Sequence, residues 1–156
     1  MTVRNQPFST LDPVTRRLVL PDGVRLLLTD TVGFIQKLPT TLIASFRATL
    51  EELDEADLLL HVVDISHPHA SEHVDVGEKI LDVLGIKEIP RILVFNKADL
   101  IRGDSPVNLS EEDQQLSVFT SAITKVGFKD LLRMIQYVLN QRDSFIKQFA
   151  IGTGIK

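Results

Sequence analysis

Three short polar stretches in this sequence carry side chains able to do chemistry. Asp30-Thr31-Val32-Gly33 follows the run RLLLT, Asn96-Lys97-Ala98-Asp99 follows RILVF, and Thr120-Ser121-Ala122 follows LSVF. The Asp99 carboxylate presents two acceptors in one plane, which match two donors on guanine, N1–H and the exocyclic N2 amine. Adenine has no such pair, so binding it would leave the carboxylate unpaired. Asn96 would fasten neighbouring loops, and the aliphatic stem of Lys97 would lie along one face of the base. Backbone N–H groups at Ser121 and Ala122 could meet the guanine O6. Asp30 could hold a water of hydrated Mg²⁺, a cation that prefers oxygen ligands and keeps several waters. Gly33 could donate its N–H to a γ-phosphate, where a side chain would obstruct the approach. Departure of that phosphate would release the segment, an order–disorder switch.

Each stretch needs an element to position it. RRLVL (Arg16 to Leu20) and Val24 to Asp30 flank Pro21-Asp22-Gly23, whose residue types suit a tight turn, so the pattern predicts a β-hairpin. Leu42, Phe46, Leu50 and Leu53 recur at helical spacing after Thr41, with Thr40 or Thr41 as N-cap. LLLHVVDI and RILVFN are nearly continuous apolar runs, as in strands buried on both faces of a parallel sheet. His67 to Leu84 reads as a helix ending at Gly85, with Val76, Ile80, Leu81 and Leu84 on its stripe. A short strand, LSVFTSA, and a helix from Phe128 to Leu139 complete the pattern, the helix carrying Leu131, Leu132, Ile135 and Leu139. Strands alternating with helices predict an α/β fold with a mostly parallel sheet. The three polar stretches then fall at the carboxyl ends of strands, where ligands bind in open α/β sheets.

The bulk properties exclude several classes. The 156 residues suit one domain, and apolar residues make up 44% and charged residues 24%, an ordinary globular composition. A net charge of −4 gives no global attraction to nucleic acid or acidic membrane, so neither DNA nor a membrane is an expected partner. There is no cysteine, hence no disulfide or thiolate metal site. MTVRNQPFST has no apolar core of a signal peptide, and no apolar run approaches the roughly 20 residues of a spanning helix. Cytoplasm is the default location.

The chain resembles the translation-factor-class P-loop GTPases, and most closely the HflX family of ribosome-associated GTPases. The resemblance is carried by FSTLDPVTRR (Phe8 to Arg17), LLLTDTVGFIQKLP (Leu26 to Pro39), LIASFRATLEE (Leu42 to Glu52), ADLLLHVVDISHP (Ala56 to Pro68) and VFNKADL (Val94 to Leu100). It implies GTP or GDP as ligand, Mg²⁺ as cofactor and the large ribosomal subunit as partner. It makes Thr10 the switch I threonine that contacts Mg²⁺ and γ-phosphate, and it places Asp30, Thr31, Val32 and Gly33 in switch II. Thr10 and Gly33 would serve hydrolysis, and Thr10 and Asp30 the metal. Asn96, Lys97 and Asp99 become the guanine-specificity residues, with Ser121 and Ala122 closing over the base. Lys125 stands where the family usually has glycine. Phe34 follows Gly33 where many GTPases carry a water-orienting glutamine, a substitution shared with the resembled family. The attacking water must be positioned by another residue, the substrate or a partner, with slow intrinsic turnover accelerated by the ribosome.

The 156 residues contain no G-x-x-x-x-G-K-[ST] stretch. In the resembled fold, the strand leading to that loop lies between the strand ending at Asp30 and the one ending at Asp64. The expected fold is therefore a partial P-loop GTPase α/β sandwich, with an antiparallel edge hairpin and with its first strand and P-loop helix missing. Residues 1–142 would form the truncated domain and 143–156 a tail or linker. Two strand edges would lack their shared partner, and GTP would bind weakly or not at all. A nucleotide-independent interaction module of the same ancestry is the alternative. His67, His69 and His73 read as a solvated loop, His61 as a satisfied core residue, and Glu51 to Asp57 as a solvated helix end. Arg16 and Arg17 read as exposed strand arginines, and Gly152-Thr153-Gly154 is too weak a signal to assign.

Overall fold

The computed structural model describes residues 14–31, 53–103, 107–110, 114, 116–141 and, for backbone, 147–153. The hairpin forms as its turn residues predict. β1 (Val14–Val19) and β2 (Arg25–Thr31) pair antiparallel, with Val14 opposite Asp30 and Val19 opposite Arg25. Asp22 accepts the Val24 N–H at 3.1 Å, and Leu20 N–H donates to the Val24 carbonyl at 2.8 Å, which closes the turn. The chain continues through β3 (Leu58–Asp64), α1 (Ala70–Leu84), β4 (Arg91–Asn96), a single 3-10 turn (Ala98–Leu100), β5 (Ser117–Phe119), α2 (Phe128–Asn140) and β6 (Lys147–Thr153). The strands form one sheet in the order β1-β2-β6-β3-β4-β5, in which only the β1–β2 pairing is antiparallel. This is an α/β, partial P-loop GTPase fold with a mostly parallel sheet and an antiparallel edge hairpin. The helix expected over 41–53 lies mostly outside the described residues, as do Thr10, Val32, Gly33 and Phe34.

Strand alternation sorts the core into two layers. Leu26, Leu58, Leu60, Ile92, Val94 and Val118 face α2 and pack with its Leu131, Ile135, Val138 and Leu139. Val63, Leu93 and Phe95 point the other way, onto Ala70 and Val74 of α1. The buried stripe of α1 is Ala70, Val74, Gly77 and Leu81, which shares only Leu81 with the Val76, Ile80, Leu81 and Leu84 stripe of the sequence pattern. Small residues at 70 and 77 let the helix lie close on the sheet, a fit that hydropathy does not register. The helix also begins at Ala70 rather than His67, because residues 65–69 form turns that hold Pro68.

The segment expected to be a tail or linker is, over Lys147–Thr153, the sixth strand, and the two strand edges expected to lack a partner share this one. β6 runs parallel to both neighbours: Asp30 is level with Ile151 on one side, and His61 is level with Gly152 on the other. Parallel edges at β2 and β3 present rows of N–H and C=O groups that must be satisfied. Any extended segment of adequate length can satisfy them, whatever its side chains. Only Phe149-Ala150-Ile151 is apolar within Lys147–Thr153, so the hydrophobic pattern gave little sign of a central strand.

His61 is in the core as expected, but it is not satisfied. It is 6% exposed, and its Nδ1 has no hydrogen-bond partner among the described residues. The ring lies on the backbone of α1 at Gly77, where a Cβ would overlap the imidazole. Burial, then the positive charge of Arg91 and the proximity of His73, lower its pKa from 6.5 to about 4.

Two outcomes follow from this packing. Ala150→Pro removes one ladder donor from β6 and leaves a buried carbonyl unpaired, a loss of about 1–3 kcal/mol. Hydrogen exchange is expected to show β2 amides losing protection while the β4–β5 pairing keeps it; uniform protection would contradict a bridging β6. Because unfolded His61 takes a proton below about pH 6.5 and folded His61 only near pH 4, its contribution is fully present above 6.5 and lost as pH falls toward 4. Urea titrations at pH 7 and pH 4 are expected to differ by up to about 3 kcal/mol through this residue, a difference that shrinks in His61→Asn.

Candidate functional site

Because β2, β3, β4 and β5 run in the same direction, their carboxyl ends share one edge of the sheet. Asp30 closes β2, Asp64 closes β3, Asn96 closes β4, and Thr120 to Ala122 follow β5. The hairpin register puts Val14 beside Asp30, so the chain enters β1 at the same edge.

The loop after β5 is stapled to the end of β4. Asn96 Oδ1 accepts the Ala122 N–H at 3.1 Å and the Thr120 hydroxyl at 3.4 Å, while Ala98 N–H donates to the Thr120 carbonyl at 3.0 Å. Asn96 therefore fastens neighbouring loops, the role its residue type suggested. Ser121 is buried and fully engaged: its N–H donates to Val126 O at 3.0 Å, its carbonyl accepts Lys125 N–H at 2.8 Å, and its Oγ accepts Thr124 N–H at 3.1 Å. Both amides that the sequence offered to a guanine O6 are thus already bonded within the protein. Their acceptors are the Asn96 carboxamide, for Ala122, and the Val126 carbonyl, for Ser121.

Two lysines hold left-handed backbone at this edge. Lys97 has φ 62° and Lys125 φ 66°, a conformation that costs a non-glycine residue about 1 kcal/mol or more. Lys97 turns the chain from β4 into the 3-10 turn that carries Asp99. Lys125 adopts there the backbone that glycine would favour, with its ammonium 5.6 Å from the centre of the Phe128 ring. Gly127 then starts α2 at φ 79°, where a Cβ would run into the Phe119 carbonyl.

The charges divide unevenly. Asp99 is exposed and has no ion-pair or hydrogen-bond partner among the described residues. Lys97 Nζ instead donates to Asp64 Oδ2 at 2.5 Å, and Asp64 Oδ1 accepts both the N–H (3.0 Å) and the Oγ–H (2.6 Å) of Ser66. Burial opposes ionisation of Asp64, but the hydrogen bonds from Lys97 and Ser66 outweigh it and hold its pKa below the ordinary carboxylate value. Asp64 was not among the site residues read from the sequence. The available signal was positional: Asp64 is the register partner of Asn96, so two polar residues end adjacent parallel strands at one level.

Asp30 is half-buried at the same edge and supplies hard oxygen donors. An oxygen donor set with few protein ligands suits a hydrated Mg²⁺, and among the described residues no group of three or more His, Cys, Asp or Glu side chains is placed to hold a metal. The histidines expected in a solvated loop are more ordered than that. The His67 and His73 rings lie 4.5 Å apart, and His67 Nδ1 accepts the His69 N–H at 3.1 Å. His69 stands at the N-cap of α1, with Nδ1 2.8 Å from Glu72 Oε1. Among the described residues, no helix is long and apolar enough to cross a membrane.

The mostly parallel sheet with its antiparallel edge hairpin is the fold of a partial P-loop GTPase domain. The family described as 50S ribosome-binding GTPase matches residues 1–97. The GTPase HflX of Alkalihalophilus pseudofirmus is 60% identical over 95 residues, covering 61% of this chain and 22% of that protein. That of Caldanaerobacter subterraneus subsp. tengcongensis is 46% identical over 134 residues, covering 86% and 30%. That of Escherichia coli (strain K12) is 39% identical over 132 residues, covering 84% and 31%. This chain belongs to the 50S ribosome-binding GTPase family and is of the HflX type. It spans a third or less of the length of the curated relatives it matches.

Asn96→Ala removes the acceptor shared by Ala122 N–H and the Thr120 hydroxyl. The expected cost is about 1–2 kcal/mol, with amide exchange accelerated over residues 120–126 and little changed in α1. Equal acceleration in both regions would deny the staple its local role.

Proposed function

We propose that this chain carries the base-reading side of a guanine-nucleotide site in an HflX-type GTPase that acts with the large ribosomal subunit. The observation that supports the reading best is the contrast at the end of β4: Asp99 is exposed and has no partner among the described residues, while Asn96 and Lys97, just before the turn that carries it, are both engaged. A free carboxylate with two coplanar oxygens suits the N1–H and N2 amine of guanine. Lys97 supplies an aliphatic surface for the ring, and Ala122 N–H would exchange its Asn96 acceptor for O6 as the base enters. Asp30 and Thr10 are the proposed holders of Mg²⁺, which when bound would offset phosphate charge, and Gly33 is the proposed γ-phosphate contact. Thr31 and Val32 complete the proposed switch II segment.

A second reading is favoured by one observation. β6 occupies the place between β2 and β3 where the resembled fold has the strand leading to its phosphate loop. With that place filled and no G-x-x-x-x-G-K-[ST] stretch among the 156 residues, the chain as it stands would grip phosphates poorly and serve as an interaction module of GTPase ancestry.

Nuclear magnetic resonance titration of the 156-residue chain with guanosine and adenosine 5′-monophosphates tests the first reading. Guanosine monophosphate is expected to shift Asp99, Lys97 and Ala122 resonances with millimolar affinity, and the adenosine compound to bind about tenfold more weakly or worse, the cost of one unpaired polar group. Equal affinities, or no shifts at these residues, favour the second reading. Micromolar GTP binding by calorimetry would contradict the weak phosphate grip.

A further inference from the structure

Lys97 stands between two carboxylates, Asp64 across the strand ends and Asp99 two residues further along the chain. It is paired with Asp64 at 2.5 Å. We propose that Asp64 is a positioning residue for base specificity: it keeps the Lys97 cation away from Asp99 and so leaves the Asp99 carboxylate open to guanine donors. The proposal rests on the guanine-nucleotide reading above and assigns that site a residue outside the Asn96–Asp99 tetrad.

The physical case is one of competition. A lysine ammonium is a compact charge on a flexible stem and pairs with whichever carboxylate is better prepared. Asp64 is well prepared. It is partly buried, its second oxygen is already fixed by the Ser66 backbone and hydroxyl, and it ends the strand next to β4. Asp99 is exposed, and an exposed lysine–carboxylate pair has a median strength of about 0–1 kcal/mol. The cation therefore stays on Asp64, and the stem of Lys97 spans from the end of β4 toward the end of β3. That leaves Asp99 as an acceptor-only group with no donor on it among the described residues. With Asp64 neutralised, Lys97 would turn to Asp99, and incoming guanine would have to compete with an ammonium for the same oxygens. Adenine, which makes no use of that carboxylate, would lose little.

The test compares the wild-type 156-residue chain with Asp64→Asn, Asp64→Glu, Ser66→Ala and the double variant Asp64→Asn/Lys97→Met. For each, the dissociation constants of guanosine and adenosine 5′-monophosphates are measured by nuclear magnetic resonance, with melting temperature as the folding control. Asp64→Asn is expected to lower the guanine-over-adenine ratio by about threefold to tenfold, and Ser66→Ala by less. Asp64→Glu is expected to retain the ratio. The double variant is expected to recover it, because no cation is left to cover Asp99; a purely structural role for Asp64 would not give that rescue. A crystal structure of Asp64→Asn should place Lys97 Nζ within ion-pair distance of Asp99. A wild-type chain with no guanine preference would overturn the guanine reading itself. A preference that survives Asp64→Asn, or one that the double variant fails to recover, would overturn this proposal alone.

Discussion

The backbone hydrogen bonding of one central strand holds the molecule together. β2 and β3 do not touch as strands; each is bonded to β6. Without that bridge, the β1–β2 hairpin has no ladder to the β3–β4–β5 unit, and an isolated two-stranded hairpin is marginal at best in water. Two buried parallel edges each carry N–H and C=O groups that cannot go unpaired at low cost. The pairing is also what brings Asp30 to the same edge as Asp64, Asn96 and Ser121. The geometry of the candidate site is therefore a consequence of how the sheet is completed.

At that edge, the polar groups fall into two kinds. Asn96, Ser121, Asp64 and Ser66 are consumed in fixing loops and charges, through hydrogen bonds of 2.5–3.4 Å. Asp99 is left without a partner among the described residues. A binding site needs both kinds: the first set limits the freedom that a ligand would otherwise have to freeze out, and the second supplies the unmet valence that makes binding selective. The left-handed lysines at 97 and 125 fit this division. Backbone strain of this sort persists where surrounding contacts over-determine the loop, and here the Lys97–Asp64 pair and the Ser121 carbonyl provide those contacts.

Membership of the 50S ribosome-binding GTPase family rests on residues 1–97, a match that ends inside the Asn96–Asp99 tetrad. The β5 loop, α2 and β6 lie beyond it, yet they supply half the staple at Asn96 and all of the bridge between β2 and β3. Relatives of HflX type align with up to 90% of this chain, which spans only 30–33% of their own length.

What the sequence determined by itself was local. Turn residues at 21–23 set the hairpin, unbroken apolar runs set β3 and β4, and helical periodicity set α2. A four-residue tetrad after a buried strand marked the candidate site at the carboxyl edge of the sheet. Each of these signals lies within a dozen residues, where side-chain type and backbone preference agree. Tertiary structure decided the rest: that Lys147–Thr153 is a central strand, that Lys97 turns to Asp64 instead of Asp99, that the Ala122 amide is held by Asn96, and that the His61 ring is pressed against Gly77. The physical reason is common to all four. Each is settled by partners distant in the chain competing for one hydrogen bond, charge or volume, and the outcome depends on which partner the fold brings near, a quantity that neither composition nor periodicity encodes.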